Sequence, residues 1–147
     1  MTNHLLDLTS IDRAEILTLI SRYAHVLDRH AWQQLESVFA PDARMEFAGL
    51  APATGPAAIA EVCARALEPL EGSQHLVGSA LLEASDASVT VSSYFHAQHV
   101  RTVNGQTALF TVAGTYDDIV ERRPEGWRIT FRRQSVSWQT GDPRVLD

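Results

Sequence analysis

The sequence predicts an α+β fold, with helices on one face of a curved, mostly antiparallel sheet. Three observations predict it. A long segment near the start repeats apolar residues at helical spacing: Ile16, Leu17, Ile20, Tyr23, Ala24 and Leu27. From Gln74 onward the chain is strand material broken by short turn signals, Asn104-Gly105 being the strongest of them. Between these regions lie one short alternating segment and one alanine-rich helical segment that opens on Pro56.

The chain has 147 residues, enough for a single domain over 1–147 to bury a core without disulfides. Apolar residues make up 45% and charged residues 20%, ordinary for a globular chain. A net charge of −6 without a basic run leaves no electrostatic footprint for nucleic acid. The arginines at 122, 123, 128, 132 and 133 are a cluster, but Glu121 and Glu125 interrupt it. Cys63 is alone, so neither a disulfide framework nor a cysteine metal site is expected. No signal-peptide pattern opens the chain and no apolar run approaches 18 residues, so the expectation is a cytoplasmic protein with no membrane partner.

The elements follow in order. Residues 1–8 read as a loose lead-in. Thr9 and Asp12 form the T-x-x-D pattern of a helix start, and the helix should run from about Ile11 to Asp28. Asp28 borders the apolar face, so its carboxylate is either exposed at the helix end or satisfied by a partner. Trp32, Leu35, Val38 and Phe39 predict a second short helix stopped by Pro41. Ala43 to Ala48 alternates as a strand, and 49–56 is a loop. A third helix is expected over Ala57–Leu67, closed by Pro69. Four strands follow, over Gln74–Glu83, Ser88–Val103, Thr107–Arg122 and Trp127–Gln139, with a bulge or bend at Gly114. The tail from Thr140 to Asp147 either folds over a pocket mouth or is disordered.

Two stretches, Tyr23-Ala24-His25-Val26-Leu27-Asp28-Arg29-His30-Ala31-Trp32 and Phe39-Ala40-Pro41-Asp42-Ala43, resemble the opening of the SnoaL-like group of the nuclear transport factor 2-like superfamily. Gln74-His75-Leu76, the strand from Tyr94 to His99, and Gly126-Trp127-Arg128-Ile129 continue the resemblance, which covers roughly residues 9 to 140. It implies a cone: a strongly bent antiparallel or mixed sheet with three to four helices packed on one side, enclosing a pocket. The group includes scytalone dehydratase, bile acid 7α-dehydratase, hexachlorocyclohexane dehydrochlorinase and polyketide cyclases. It also includes small subunits of ring-hydroxylating dioxygenases, so fold alone does not assign function.

The resemblance implies a dyad. In the dehydratase and dehydrochlorinase members an Asp at the end of the first helix orients a His that removes a proton; Asp28 and His75 match these two. Imidazole titrates near neutral pH, so it can take and return a proton, while a buried carboxylate fixes its tautomer. The plainer reading of His75 is a hydrogen-bonded core histidine. Tyr23 matches a pocket tyrosine able to stabilise a developing enolate; otherwise it is a core aromatic. Strand alternation puts Val91, Ser93, Phe95, Ala97 and His99 on one face and His96 on the other. Ala97-Gln98-His99 resembles the segment that supplies the second histidine of scytalone dehydratase, which makes His99 the expected acid for a leaving oxygen; otherwise it is a surface histidine near a strand end. His96 and His99 point apart and so are not a zinc pair.

Ile20, Leu27, Met45, Phe47, Leu76 and Phe110 form the expected apolar core stripe. Phe47 and Phe110, together with Trp138, are the expected pocket walls. Trp138 shares a strand face with Arg132, Gln134 and Val136; it either caps the pocket or anchors an interface. The reading is a lyase or isomerase that uses His75 and Asp28 to abstract a proton from a small hydrophobic cyclic substrate. It needs no cofactor and no metal, and it predicts a homodimer or homotrimer formed through the sheet. The alternatives are a polyketide cyclase and a non-catalytic binding or assembly module.

Overall fold

The computed structural model describes residues 6–147. Helix α1 spans Ser10–Arg29 and α2 spans Pro56–Leu67. The strands are β1 (Phe39–Glu46), β2 (Ala53–Thr54), β3 (Gly72–Ala84), β4 (Val89–Val103), β5 (Gln106–Arg123) and β6 (Gly126–Gly141). Two 3-10 turns, Trp32–Ser37 and Pro143–Leu146, complete the described chain. The six strands form one mixed sheet in the order β2-β1-β6-β5-β4-β3. The β1–β6 pair is parallel and the rest are antiparallel. The sheet curls but does not close, so β3 is an edge strand. The helices lie on its inner face, as the α+β reading expects.

Helix α1 begins where its capping box dictates. The Asp12 N–H donates to Thr9 Oγ1 at 3.0 Å, and the Thr9 N–H donates to Asp12 Oδ2 at 2.9 Å. Asp12 Oδ1 also accepts from Arg122 (2.6 Å) and from the Trp127 indole (3.1 Å), which ties the helix start to β5 and β6. Ile16, Ile20, Tyr23 and Leu27 then pack on the sheet with Ile59 and Cys63 of α2. The expected loose lead-in is only partly described, since residues 1–5 lie outside the described chain. Leu6 and Leu8 are not loose: both pack against the core, and the Leu6 N–H donates to the Ser85 carbonyl.

Four expectations are corrected. The short helix after α1 is a 3-10 turn that ends at Ser37, and Phe39 opens β1. Pro41 stops no helix. It sits where the β1–β6 ladder is broken between Phe39 and Arg44, so its missing N–H costs no ladder bond. The loop over 49–56 contains β2, paired to β1 at Arg44 and Met45. Leu76 is not core: with its neighbour His75 turned inward, strand alternation turns Leu76 outward, where it is 61% exposed.

The fourth correction is Trp138. Ala113 pairs with Trp138 but Gly114 pairs with Val136, so Ser137 is an extra residue in β6. A one-residue bulge flips every later side chain to the opposite face. Gln134 and Val136 face the interior, whereas Trp138 lies on the outer face with its ring 5.4 Å from that of His96. Gly114, expected as a bulge or bend, lies at the same point. A Cβ there would run into the Ser135 carbonyl oxygen, so only glycine lets the strands approach this closely.

Candidate active site

Asp28 comes from the last turn of α1. The helix stops two residues later because His30 adopts a left-handed conformation (φ 54°), with its N–H on Leu27 O and that of Ala31 on Val26 O. A carboxylate at a helix C-terminus opposes the helix dipole and needs compensation. The edge strand provides it. The His75 backbone N–H donates to Asp28 Oδ2 (3.0 Å), and Ser73 Oγ donates weakly to Oδ1 (3.4 Å). His75 Nδ1 lies 2.6 Å from Asp28 Oδ1. Burial raises the affinity of Asp28 for a proton, but the hydrogen bonds from the His75 ring and backbone outweigh it and hold the carboxyl below its ordinary value. Ionised Asp28 only accepts, so His75 Nδ1 carries the hydrogen and its Nε2 has a free lone pair. The His75 side chain is 6% exposed.

His99 enters from β4 beside it. The two rings are 5.9 Å apart and nearly perpendicular. His99 Nδ1 lies 3.0 Å from the Phe110 carbonyl oxygen, an acceptor, so Nδ1–H donates there and Nε2 is again unprotonated in the neutral ring. Burial, chiefly, lowers the His99 pKa; the Phe110 carbonyl raises it, His75 lowers it further and Asp28 raises it. His96, on the opposite face, is exposed.

Both imidazoles line a partly open cavity of about 260 Å³ between the sheet and α1 and α2. Tyr23, Phe47, Phe110 and Val112 share its wall. Tyr23 is fully buried, with its hydroxyl 3.9 Å from both Met45 Sδ and Cys63 Sγ. Burial raises its pKa well above the ordinary phenol value, so it is protonated. Of the expected wall residues, Phe47 and Phe110 line this cavity and Trp138 does not. Trp138 instead borders a larger, more open groove of about 730 Å³, lined by Leu76, Tyr94 and His96 of the outer sheet face and by Ser21 and His25 of α1. His75 lines both, but His75 and His99 share only the smaller cavity, which is therefore the candidate site.

Three further features surround the cavity, one of them the tail from Thr140, which the sequence left either folded over a pocket mouth or disordered. Cys63 and Leu146 line the cavity. Burial pushes the Cys63 thiol up to about 11, against the Tyr23 hydrogen bond and nearby Arg132, so it is no nucleophile at neutral pH. Leu146 arrives because the tail forms the Pro143–Leu146 turn with Val145 fully buried. The third feature is a fully buried Arg132–Asp118 pair, two-pronged at 2.7 Å and 2.7 Å. The guanidinium lies between the Tyr23 ring (4.5 Å) and the Tyr116 ring (4.1 Å). Alternation held a signal for it, because Tyr116, Asp118 and Val120 share one strand face.

Residues 9–133 match the model of the SnoaL-like domain family. The chain belongs to the SnoaL-like domain family. Solved structures give the same fold at low identity. The Kfla4162 protein of Kribbella flavida is 21% identical, with a TM-score of 0.83 over 92% of this chain and 97% of that one. A hexachlorocyclohexane dehydrochlorinase of Novosphingobium barchaimii is 20% identical, with a TM-score of 0.79 over 92% and 95% of the chains. A candidate scytalone dehydratase of Novosphingobium aromaticivorans is 21% identical, with a TM-score of 0.77 over 88% and 87%. No curated protein matches the chain significantly. No helix among the described residues of this SnoaL-like protein is long and apolar enough to cross a membrane.

Proposed function

We propose that this SnoaL-like protein is a lyase or isomerase that moves a proton on a small, largely apolar cyclic substrate. The observation that carries the reading is the 2.6 Å contact of Asp28 with His75 Nδ1, which leaves His75 Nε2 as a base beside an apolar cavity. His75 Nε2 takes a proton from a carbon next to a carbonyl or similar activating group. The C–H electron pair becomes a double bond as a leaving group departs from the neighbouring carbon. Asp28 stabilises the imidazolium, which gives the proton to the leaving oxygen; elimination then releases water, and His75 is a base again. Returning the proton to another carbon gives isomerisation instead. The Tyr23 phenol is the candidate donor to the developing enolate. The names of two structural neighbours, a dehydrochlorinase and a candidate dehydratase, agree with elimination. The cavity, just below the 300–1,000 Å³ range of drug-sized sites, suits one or two rings.

The test is deuterium uptake next to the carbonyl of a panel of cyclic ketones and β-hydroxy ketones, followed by NMR. His75→Ala should slow exchange and turnover by about 10² or more on any compound the wild type processes. Equal rates for the two proteins would sink the reading. Self-association belongs to the same proposal. The outer sheet face carries Leu76 (61% exposed), Leu81 (72%), Tyr94 (62%) and Trp138 (50%), an apolar surface suited to a second copy in a homodimer or homotrimer.

A further inference from the structure

We infer that His99 is a hydrogen-bond acceptor for a hydroxyl on the ligand, which makes the substrate class a hydroxylated ring: a phenol, an enol or a ring alcohol. The inference rests on the proposed use of this cavity and adds what the ligand must offer it. It also replaces the acid role that the sequence suggested for His99.

The geometry excludes His99 as a resting donor to the cavity. Its Nδ1–H is committed to the Phe110 carbonyl at 3.0 Å, so Nε2 is the one polar atom it can present to a ligand. That carbonyl is held in turn. Gln98 Nε2 lies 3.4 Å from Phe110 O and 3.2 Å from His99 O, and Thr111 Oγ1 donates to Gln98 Oε1 at 2.8 Å. The tautomer is thus locked by backbone and by a side-chain clamp on the outer face. Two imidazoles 5.9 Å apart, with one carboxylate between helix and strand, favour a single added proton. Of the two rings, the one in contact with Asp28 is His75. The net lowering of the His99 pKa by burial, described above, agrees.

No protein donor among the described residues reaches His99 Nε2, and it is not one of the sealed, unpartnered side-chain atoms, which are Ser93 Oγ and Arg132 Nη1, so it is an acceptor open to a ligand donor that replaces water there. His99 is 5% exposed, and Phe110 and Ala97 beside it are equally apolar and buried. A ligand O–H supplies the missing donor, and an ether or a bare hydrocarbon does not. The hydroxyl on His99 is therefore an anchor. The leaving group, on the other hand, is served by the protonated His75.

The test uses three probes of one shape: 2-naphthol, 2-methoxynaphthalene and naphthalene. Their dissociation constants are measured near neutral pH for wild type, His99→Leu and His75→Gln. The wild type should prefer naphthol over its methyl ether by about tenfold or more, the preference should fall to about twofold or less in His99→Leu, and His75→Gln should keep it. Failure of naphthol to bind folded wild type, no preference in the wild type, or a preference that survives His99→Leu would overturn the inference. Should His99→Leu not fold, nitrogen NMR of the wild-type imidazoles decides: His99 must carry its hydrogen on Nδ1, and a hydrogen on Nε2 overturns the acceptor role. Binding does not need turnover, so an inactive His75 reading and a failed hydroxyl preference give separate results.

Discussion

Asp28 stands where a carboxylate is disfavoured, at the negative end of a 20-residue helix, and three donors from the edge strand hold it there. The local rule broken here is compensated by contacts from a distant strand, which is the pattern the proposed role of Asp28 requires. His99 departs from its ordinary behaviour in the other direction. The titratable groups around it are Asp28 and Tyr23 from α1, Cys63 from α2, His75 from β3 and Tyr116 from β5. Its folded-state pKa lies below the 6.5 of a free imidazole. On acidification below about that value the unfolded chain therefore takes up a proton that the folded chain refuses. Stability from this group is complete above that value and falls as the pH drops. His99→Gln should flatten the decline of melting temperature between neutral pH and about pH 5. A decline as steep as that of the wild type would show that His99 is not depressed by its site.

At the scale of elements, the bend and the bulge of the sheet decide what faces the cavity. The alternation rule separated His99 from His96 on β4 correctly, because that strand runs through without an interruption near the site, and the family resemblance named His99 as the inward one. The same rule misplaced Trp138, because one extra residue at Ser137 resets the phase of β6. Gly114 marks the spot. Gly114→Ala drives a Cβ into the backbone of Ser135 and should lower stability by about 3 kcal/mol, read as a drop in denaturant midpoint. Gly78→Ala, with open space around the added carbon and no positive φ, should change it by less than about 1 kcal/mol. Equal effects at the two positions would contradict the close approach at the bend. The bend matters for chemistry because Gly114 pairs with Phe95, two residues before Ala97 and four before His99, on the strand that carries the second imidazole.

At the scale of the molecule, the sheet has an inner face filled by helices and an outer face with no partner in the described chain. Leu81, Tyr94 and Trp138 are exposed there despite being large and apolar. Tyr94→Asp combined with Leu81→Asp should shift sedimentation toward the monomer while leaving the melting temperature of the monomer nearly unchanged. A wild type that already sediments as a monomer would remove the proposed interface. The edge of β3, which would otherwise invite another strand, is occupied by α1 through Asp28, so the contact between Asp28 and His75 also blocks strand addition at that point.

The sequence by itself determined the α+β class and the extents of α1 and of the four long strands to within a few residues, while the pairing of Asp28 with His75 was legible only through the family resemblance. Periodicity, capping and turn chemistry are local, so they are legible one segment at a time. Only the tertiary structure decided the rest. The bulge at Ser137, the parallel seam that admits Pro41, the buried Arg132–Asp118 pair and the entry of Leu146 each depend on which strands meet, and in what register. The tautomers of His75 and His99 depend on acceptors 47 and 11 residues away in the chain. Residue spacing names the groups able to move a proton; the fold decides on which nitrogen the proton rests.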